Sequence, residues 1–322
     1  MILRNEKLGT YAELTAYLHE PDHEMENIEK FPSILVLPGG GFRFCSSREG
    51  EPVAMSYFAQ GFQAFVLKYT TVTDKPDAVI GDPMEDVQNA LTFIRSHAEE
   101  LHVAAGQVAM IGFSGGAHLA AAVATHGPER PDLLLLGYPG ILHSELRALE
   151  CPDIIECVDE KTPATYIFSD YADTVTPPAH ALAFASALDA AKREFEIHIF
   201  HGGVHGMSLA TSFTCSGDKS QVDPAFAQWF PMSVDWLKAK FGDFVIYGVN
   251  DGRAGKLNID CFVKDLLANE KAAAILKEVL PQAEQIVQSP FGARVTPRMM
   301  ANFVPDVDKQ KLQELDQALL AL

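Results

Sequence analysis

The sequence predicts an α/β protein: a mostly parallel central sheet of about eight strands, covered by helices on both faces, with a small C-terminal helical appendage. Three observations carry this. Short apolar runs alternate with helical stretches of about 10 to 18 residues, the pattern of a sheet built from strand-helix-strand units. Several of the runs are continuously apolar, as in strands buried on both faces. The pattern then breaks near Phe241, where Gly242, Gly248, Gly252 and Gly255 fall in a short span and only helical periodicity follows.

The elements follow in order. Residues 11–18 alternate in character and predict a half-exposed antiparallel strand at the sheet edge, ended by Pro21. Ser33-Ile34-Leu35-Val36-Leu37 reads as a buried strand that stops at Pro38-Gly39-Gly40-Gly41-Phe42. A polar loop over 46–52 leads into a helix over 53–60, closed by Gly61, and the next buried strand covers 63–69. Asp82-Pro83 opens a helix over 84–101 that turns Val87, Leu91 and Ile94 inward. Val108-Ala109-Met110-Ile111 is a strand and 117–124 an alanine-rich helix. Three more short strands read at 132–137, 164–168 and 195–200, with a helix over 178–192 between the last two. The stretch 139–162 has little periodicity and is expected to cover part of the site.

Beyond the break, 259–280 reads as a helix, Pro281 stops it, and 308–322 is an amphipathic helix with Leu312, Leu315, Leu319 and Leu320. The expected division is therefore a catalytic domain over 1–241 and a helical appendage over 242–322, suited to forming a homo-oligomer or a lid.

Composition narrows the function. The chain has 322 residues, 48% of them hydrophobic and 21% charged, the balance of a folded enzyme and not of a disordered chain. A net charge of −18 repels phosphate backbones and anionic lipid surfaces, so no nucleic acid and no membrane is expected as a partner. Five cysteines, an odd number without a C-x-x-C pair, imply neither a disulfide framework nor a zinc knuckle. The first ten residues lack the apolar stretch of a signal peptide, and no run of apolar residues is long enough to span a bilayer. A cytoplasmic protein with free thiols is the expectation.

Chemistry concentrates at Gly112-Phe113-Ser114-Gly115-Gly116, a G-x-S-x-G pattern between a strand and a helix. That context holds a serine exposed on a sharp turn, so Ser114 is the candidate nucleophile. The candidate base is His205, in the glycine-flanked loop after the last strand, with His201 as runner-up. Asp173 and Asp170 follow the strand at 164–168; Asp173 is the preferred acid and Asp170 the one expected to brace its loop. The N–H of Gly115, with those of Gly40 and Gly41, would form the oxyanion hole, since glycines leave backbone donors open to an anion. His198, His201 and His205 lack the fixed spacing of metal ligands, and no metal or other cofactor is expected. His118, one helical turn past Ser114, is expected to bond within the core. Phe42, Phe113 and Tyr138 are the aromatic candidates for contact with substrate; Phe44 and Tyr69 also fall near strand ends.

Taken together, Pro38-Gly39-Gly40-Gly41-Phe42, Glu49-Gly50-Glu51-Pro52, Gly112 to Ala120, Asp173-Thr174-Val175-Thr176-Pro177 and Gly203-Val204-His205-Gly206 resemble the α/β-hydrolase serine esterases related to acetyl xylan esterases and the hormone-sensitive-lipase-like group. Pro38 stands where the lipase-like group has histidine, as in the sugar-esterase branch. The resemblance covers residues 10–240 and implies a Ser114-Asp173-His205 triad and hydrolysis of short acyl esters, commonly acetyl groups on sugars. The expected partner is thus a small ester or an acetylated sugar. Two rivals remain: a peptidase of the prolyl-oligopeptidase type, which shares the fold and the order of the triad, and a catalytically dead scaffold that binds a partner through its helical tail.

Overall fold

The computed structural model describes residues 1–22, 24–25, 27–142, 148–244, 256–288, 292, 295–301 and 309–322. Eight strands form one sheet: β1 (Ile2–Lys7), β2 (Glu13–Leu18), β3 (Phe31–Leu37), β4 (Gln63–Lys68), β5 (Val103–Phe113), β6 (Leu133–Gly137), β7 (Ala164–Asp170) and β8 (Phe195–Phe200). Their order is β1-β2-β4-β3-β5-β6-β7-β8. The pairs β1–β2 and β2–β4 are antiparallel and all others parallel.

The edge is one strand further out than the sequence suggests. Residues 13–18 pair on both sides, and Ile2–Lys7 forms the outer strand, with Leu3 opposite Tyr17. Arg4, Glu6 and Lys7 conceal this strand in a reading by hydrophobicity, because charge on an edge strand serves to deter pairing with other chains.

Helices α1 (Glu51–Phe58), α2 (Gly81–Ser96), α3 (Gly115–His126), α4 (Ala179–Ala190) and α5 (Trp229–Phe241) cover the sheet. Alternation along each strand divides them between two faces. Leu35, Leu37, Met110, Leu134 and Leu136 pack with α2, α3 and α4, whereas Ile34, Val36, Ile111, Leu135 and Phe168 pack with α1 and α5. Every residue of α3 from Gly115 to Thr125 is buried, so its alanines let the helix lie close against the strands. Helix α5 has no counterpart in the sequence reading. Pro231 interrupts its apolar pattern, yet stands in the first turn, where a backbone N–H has no intrahelical acceptor to lose. Trp229 anchors it, stacked on Phe168 at 4.2 Å and 4°.

The register places the chemistry. Leu37 pairs with Gly112, Phe113 with Gly137, Gly137 with Phe168 and Asp170 with Phe200, so the loops after β3, β5, β6, β7 and β8 leave one edge of the sheet. The chain passes from β3 to β4 on one side and returns to β5 on the other. The crevice at such a reversal of strand order is where ligands bind in open α/β sheets.

By its internal contacts the chain divides into two compact units, Met1–Glu20 with Glu29–Asp243, and Pro21–Ile28 with Phe244–Leu322. The second contains α6 (Val263–Leu267), α7 (Glu270–Val279), α8 (Ala283–Val287), α9 (Pro297–Ala301) and α10 (Lys309–Leu320) around a core that includes Leu266, Leu276, Met300, Leu315 and Leu319. Where a single helix over 259–280 was expected there are two. Asn269 separates them, its side chain accepting the N–H groups of Lys271 and Ala272 at 3.1 Å and so starting α7 afresh. Among the described residues no helix is long and apolar enough to cross a membrane.

Candidate active site

Ser114 joins β5 to α3 with φ 51° and ψ −115°, a left-handed backbone conformation that holds its side chain outward at the turn. Close approach on either side makes this geometry dependent on glycine. A Cβ at Gly112 would stand 2.3 Å from Gly116 O, and one at Gly116 would stand 2.3 Å from Leu37 O and 2.4 Å from Pro38 O. These neighbours are backbone atoms with little room to shift. Gly116→Ala is expected to lower stability by about 1–3 kcal/mol, the usual cost of forcing an extra carbon into a packed interior. Gly106→Ala, where a Cβ meets nothing within 4 Å, is the matched control and should leave the urea midpoint near that of the wild type.

Ser114 Oγ lies 2.8 Å from His205 Nε2, and His205 Nδ1 lies 2.7 Å from Asp173 Oδ2. A carboxylate only accepts, so Nδ1 carries the proton and Nε2 is left to accept from the serine hydroxyl. Asp173 Oδ1 accepts the N–H groups of Val175 at 2.8 Å and Thr176 at 2.9 Å. Burial alone would raise the Asp173 carboxyl. The hydrogen bond and charge of His205, with the two backbone donors, outweigh burial and hold it below its ordinary value. Thr176 Oγ1 sits 3.0 Å from Asp173 Oδ2 and 3.1 Å from His205 Nδ1, closing a small ring around the acid.

The glycine loop after β3 lies against the serine turn. Gly40 has φ +133°, and a Cβ there would stand 1.9 Å from Phe44 O. Gly41 N lies 3.1 Å from the point a Cβ would take on Gly115, which sets these two residues side by side. Gly40, Gly41, Gly115, Ser114 and His205 all line one cavity of about 580 Å³. A volume of this size is that of a small-molecule site.

The other candidates fall elsewhere. His201 is exposed and stacks on Tyr171 with ring centroids 5.9 Å apart. Asp170 Oδ1 accepts the Ala172 N–H at 2.8 Å, within its own loop. His118 is buried and donates from Nδ1 to Gly140 O at 2.8 Å. His198 pairs with Glu196 at 2.7 Å.

The aromatic candidates require correction. Phe42, Phe113 and Tyr138 are at most 1% exposed and do not line the cavity. Phe42 packs edge-on to Tyr69 and His118, while Phe113 and Tyr138 belong to the core on the opposite face of the sheet. Residues at strand ends point to either side, and these three point inward. Phe44, 59% exposed, is the aromatic residue on the cavity wall.

Three residues around the site carried no role in the sequence reading. Arg48 Nη1 donates to Gly206 O and Thr214 O at 2.9 Å and to Gln221 Oε1 at 2.7 Å, tying the loop of His205 to the segment that follows. Glu49 is 2% exposed and is hydrogen bonded to Gly39 and Tyr138. Thr176 is the third. Their signals were position, Arg48 and Glu49 in the loop after the glycine triplet and Thr176 three residues past the acid, and for Glu49 and Thr176 a place in the motifs that carry the resemblance. Gly140 comes to the cavity wall from the stretch expected to cover part of the site, of which residues 143–147 lie outside the described residues, and Ser216 comes from the segment after the His205 loop. Cys45 also lines the cavity, but burial pushes its thiol up to about 12, so it is no thiolate nucleophile at neutral pH.

Comparison with known proteins agrees with this architecture. The BD-FAE family model matches residues 21–134. Endo-1,4-beta-xylanase B of Butyrivibrio fibrisolvens is 31% identical in an alignment of 238 residues that covers 65% of this chain and 36% of that protein. Acetylxylan esterase of Xylanibacter ruminicola is 26% identical in an alignment of 205 residues that covers 56% of this chain and 42% of that protein. The chain thus spans well under half the length of these two curated relatives. Among solved structures, an acetyl ester-xyloside bifunctional hydrolase of Caldicellulosiruptor lactoaceticus superposes with a TM-score of 0.62 at 28% identity, covering 71% of this chain and 88% of that one. MGS-M1, an alpha/beta hydrolase enzyme from a Medee basin deep-sea metagenome library, superposes with a TM-score of 0.70 at 36% identity, covering 74% of this chain and 97% of that one. With the sheet order, the serine turn and this degree of identity along nearly the whole of MGS-M1, the chain belongs to the α/β-hydrolase family.

Proposed function

We propose that the protein is a serine esterase that hydrolyses short-chain acyl esters, acetyl esters of sugars or oligosaccharides in particular, through a Ser114-His205-Asp173 triad. The observation that carries this reading is the unbroken hydrogen-bonded line from Ser114 Oγ through His205 to Asp173, ending in the cavity that Gly40, Gly41 and Gly115 line. His205 Nε2 takes the hydroxyl proton as Ser114 Oγ attacks the ester carbonyl. The N–H groups of Gly40, Gly41 and Gly115 receive the oxyanion that forms. Collapse expels the alcohol, which takes its proton from His205, and leaves an acyl-serine. Water, deprotonated by the same imidazole, then attacks the acyl carbonyl; the bond to Ser114 Oγ breaks, the serine oxygen takes the proton back from His205, and the carboxylic acid is released. The names of the acetylxylan esterase and the acetyl ester-xyloside hydrolase to which the chain is similar support acetylated sugars as the substrate class. A cytoplasmic location belongs to the same reading, supported by five free cysteines.

The test is a panel of p-nitrophenyl esters from acetyl to decanoyl beside acetylated xylo-oligosaccharides, with Ser114→Ala as the control. The expected result is a kcat/KM that is highest for acetyl and falls with chain length, together with release of acetate from the oligosaccharides. A maximum on long acyl chains would refute the short-acyl reading.

A further inference from the structure

Outside the Ser114-His205-Asp173 line, the cavity wall holds a second buried carboxylate, Glu49, 2% exposed. Burying such a charge is costly unless hydrogen bonds replace its water, and both oxygens here are engaged. Oε2 accepts the Gly39 N–H at 2.8 Å and Oε1 accepts the Tyr138 hydroxyl at 2.5 Å. Gly39 opens the glycine loop and is enclosed from two directions. A Cβ there would stand 2.7 Å from Glu49 Oε2 and 3.0 Å from Ser114 Cβ, so the carboxylate braces the loop from one side and the nucleophile bounds it on the other.

The second oxygen reaches the base. Tyr138 Oη accepts the Ser208 N–H at 3.1 Å, its ring meets the His205 ring edge-on at 5.3 Å, and its carbonyl accepts from Thr176 Oγ1 at 3.0 Å. Burial and the Glu49 carboxylate together hold the Tyr138 phenol protonated, so its hydroxyl remains a donor to Glu49. One side chain therefore fastens the loops after β3, β6 and β8 to one another.

We infer that Glu49 is the positioning residue of the active site, setting the Gly39–Gly41 oxyanion loop in register with Ser114 and His205. It touches no reacting atom and acts through Gly39 and Tyr138. The inference rests on the esterase reading, because the loop it sets is the one that receives the oxyanion there. Donors aimed at developing charge act only when already in place, so loosening the loop weakens the transition state more than the bound ester.

Glu49→Gln is the probe. The amide keeps the shape but has one acceptor oxygen; pointed at Gly39 N–H, it turns an NH₂ toward Tyr138, whose hydroxyl proton then has no acceptor. With kcat normalised to the Ser114 titrated by a fluorophosphonate, we expect kcat on p-nitrophenyl acetate to fall about 10- to 100-fold, the scale of a misplaced catalytic geometry, while KM stays within about threefold. The Ki of a trifluoromethyl ketone, which forms the tetrahedral oxyanion adduct, should weaken by the same factor as kcat/KM. A merely structural loss lowers the titratable fraction and leaves both normalised values alone. If Glu49→Gln does not fold, Tyr138→Phe removes the Oε1 partner and is expected to lower kcat in the same manner by a smaller factor. An active wild type with an unimpaired variant, or a slowed variant that binds the ketone as tightly as before, overturns the inference alone. A wild type inert toward every ester overturns the esterase reading and this inference with it.

Discussion

Ser114→Ala is expected to lower kcat by about 10⁶, the loss seen when a nucleophile that works as one unit with its base is removed. In the proposed mechanism the hydroxyl oxygen is the atom that forms the covalent bond, and no neighbour replaces it. The Cys45 thiol on the same wall is kept protonated by burial, which pushes its pKa up to about 12. His205→Ala should cost a similar factor, and the double variant little more than either alone, because serine and imidazole act on one proton. Turnover of p-nitrophenyl acetate and fluorophosphonate labelling, measured on protein shown to be folded by circular dichroism, report the result. Retention of full activity in His205→Ala would refute its role as the base.

The second large effect belongs to Asp173. In Asp173→Asn the oxygen has its partners waiting, since Val175 N–H and Thr176 N–H both point at the Oδ1 position. The amide NH₂ then faces His205 Nδ1 and donates to it, which forces the imidazole proton onto Nε2. In that tautomer Nε2 has no lone pair for the serine hydroxyl, and kcat is expected to fall by about 10⁴. The same variant carries a stability signature. The Asp173 carboxyl is held below its ordinary value of 3.8, so the stabilisation it supplies is complete above that pH and is lost as pH falls through the lower value of the folded state. Urea denaturation midpoints should therefore drop more steeply for the wild type than for Asp173→Asn as the pH is lowered below about 4. Parallel curves for the two proteins would show that the carboxylate is not strongly engaged in the fold.

How much was legible in the chain differs from residue to residue. The serine turn could be read because its requirement is local: Gly112 and Gly116 lie within two residues of Ser114, and their small size is a property of the sequence itself. Asp173 could be preferred over Asp170 on the Val175 and Pro177 that follow it; in the structure its carboxylate accepts the N–H groups of Val175 and Thr176, two and three residues on. Glu49 could not be read. A charge in a polar loop is ordinarily solvated, and only the approach of Gly39 and Tyr138, ten and 89 positions away, shows that this one is buried. Phe42, Phe113 and Tyr138 failed for the related reason that which face a strand-end aromatic takes is decided by what packs there.

The sequence by itself determined the order of strands and helices from β2 to β8, the turn that carries Ser114, and the Ser-Asp-His order of the candidate set. Each follows from short-range chemistry: continuous apolar runs seek burial, glycine permits close approach, and a loop after a strand points to the strand's carboxyl edge. Only the tertiary structure decided the outer position of β1, the place of α5, the division at Asn269, the inward turn of three aromatic rings, and the burial of Glu49 between Gly39 and Tyr138. Those depend on partners distant in the chain, where the free energy of a contact is set by what the fold brings to it and not by the residue type alone.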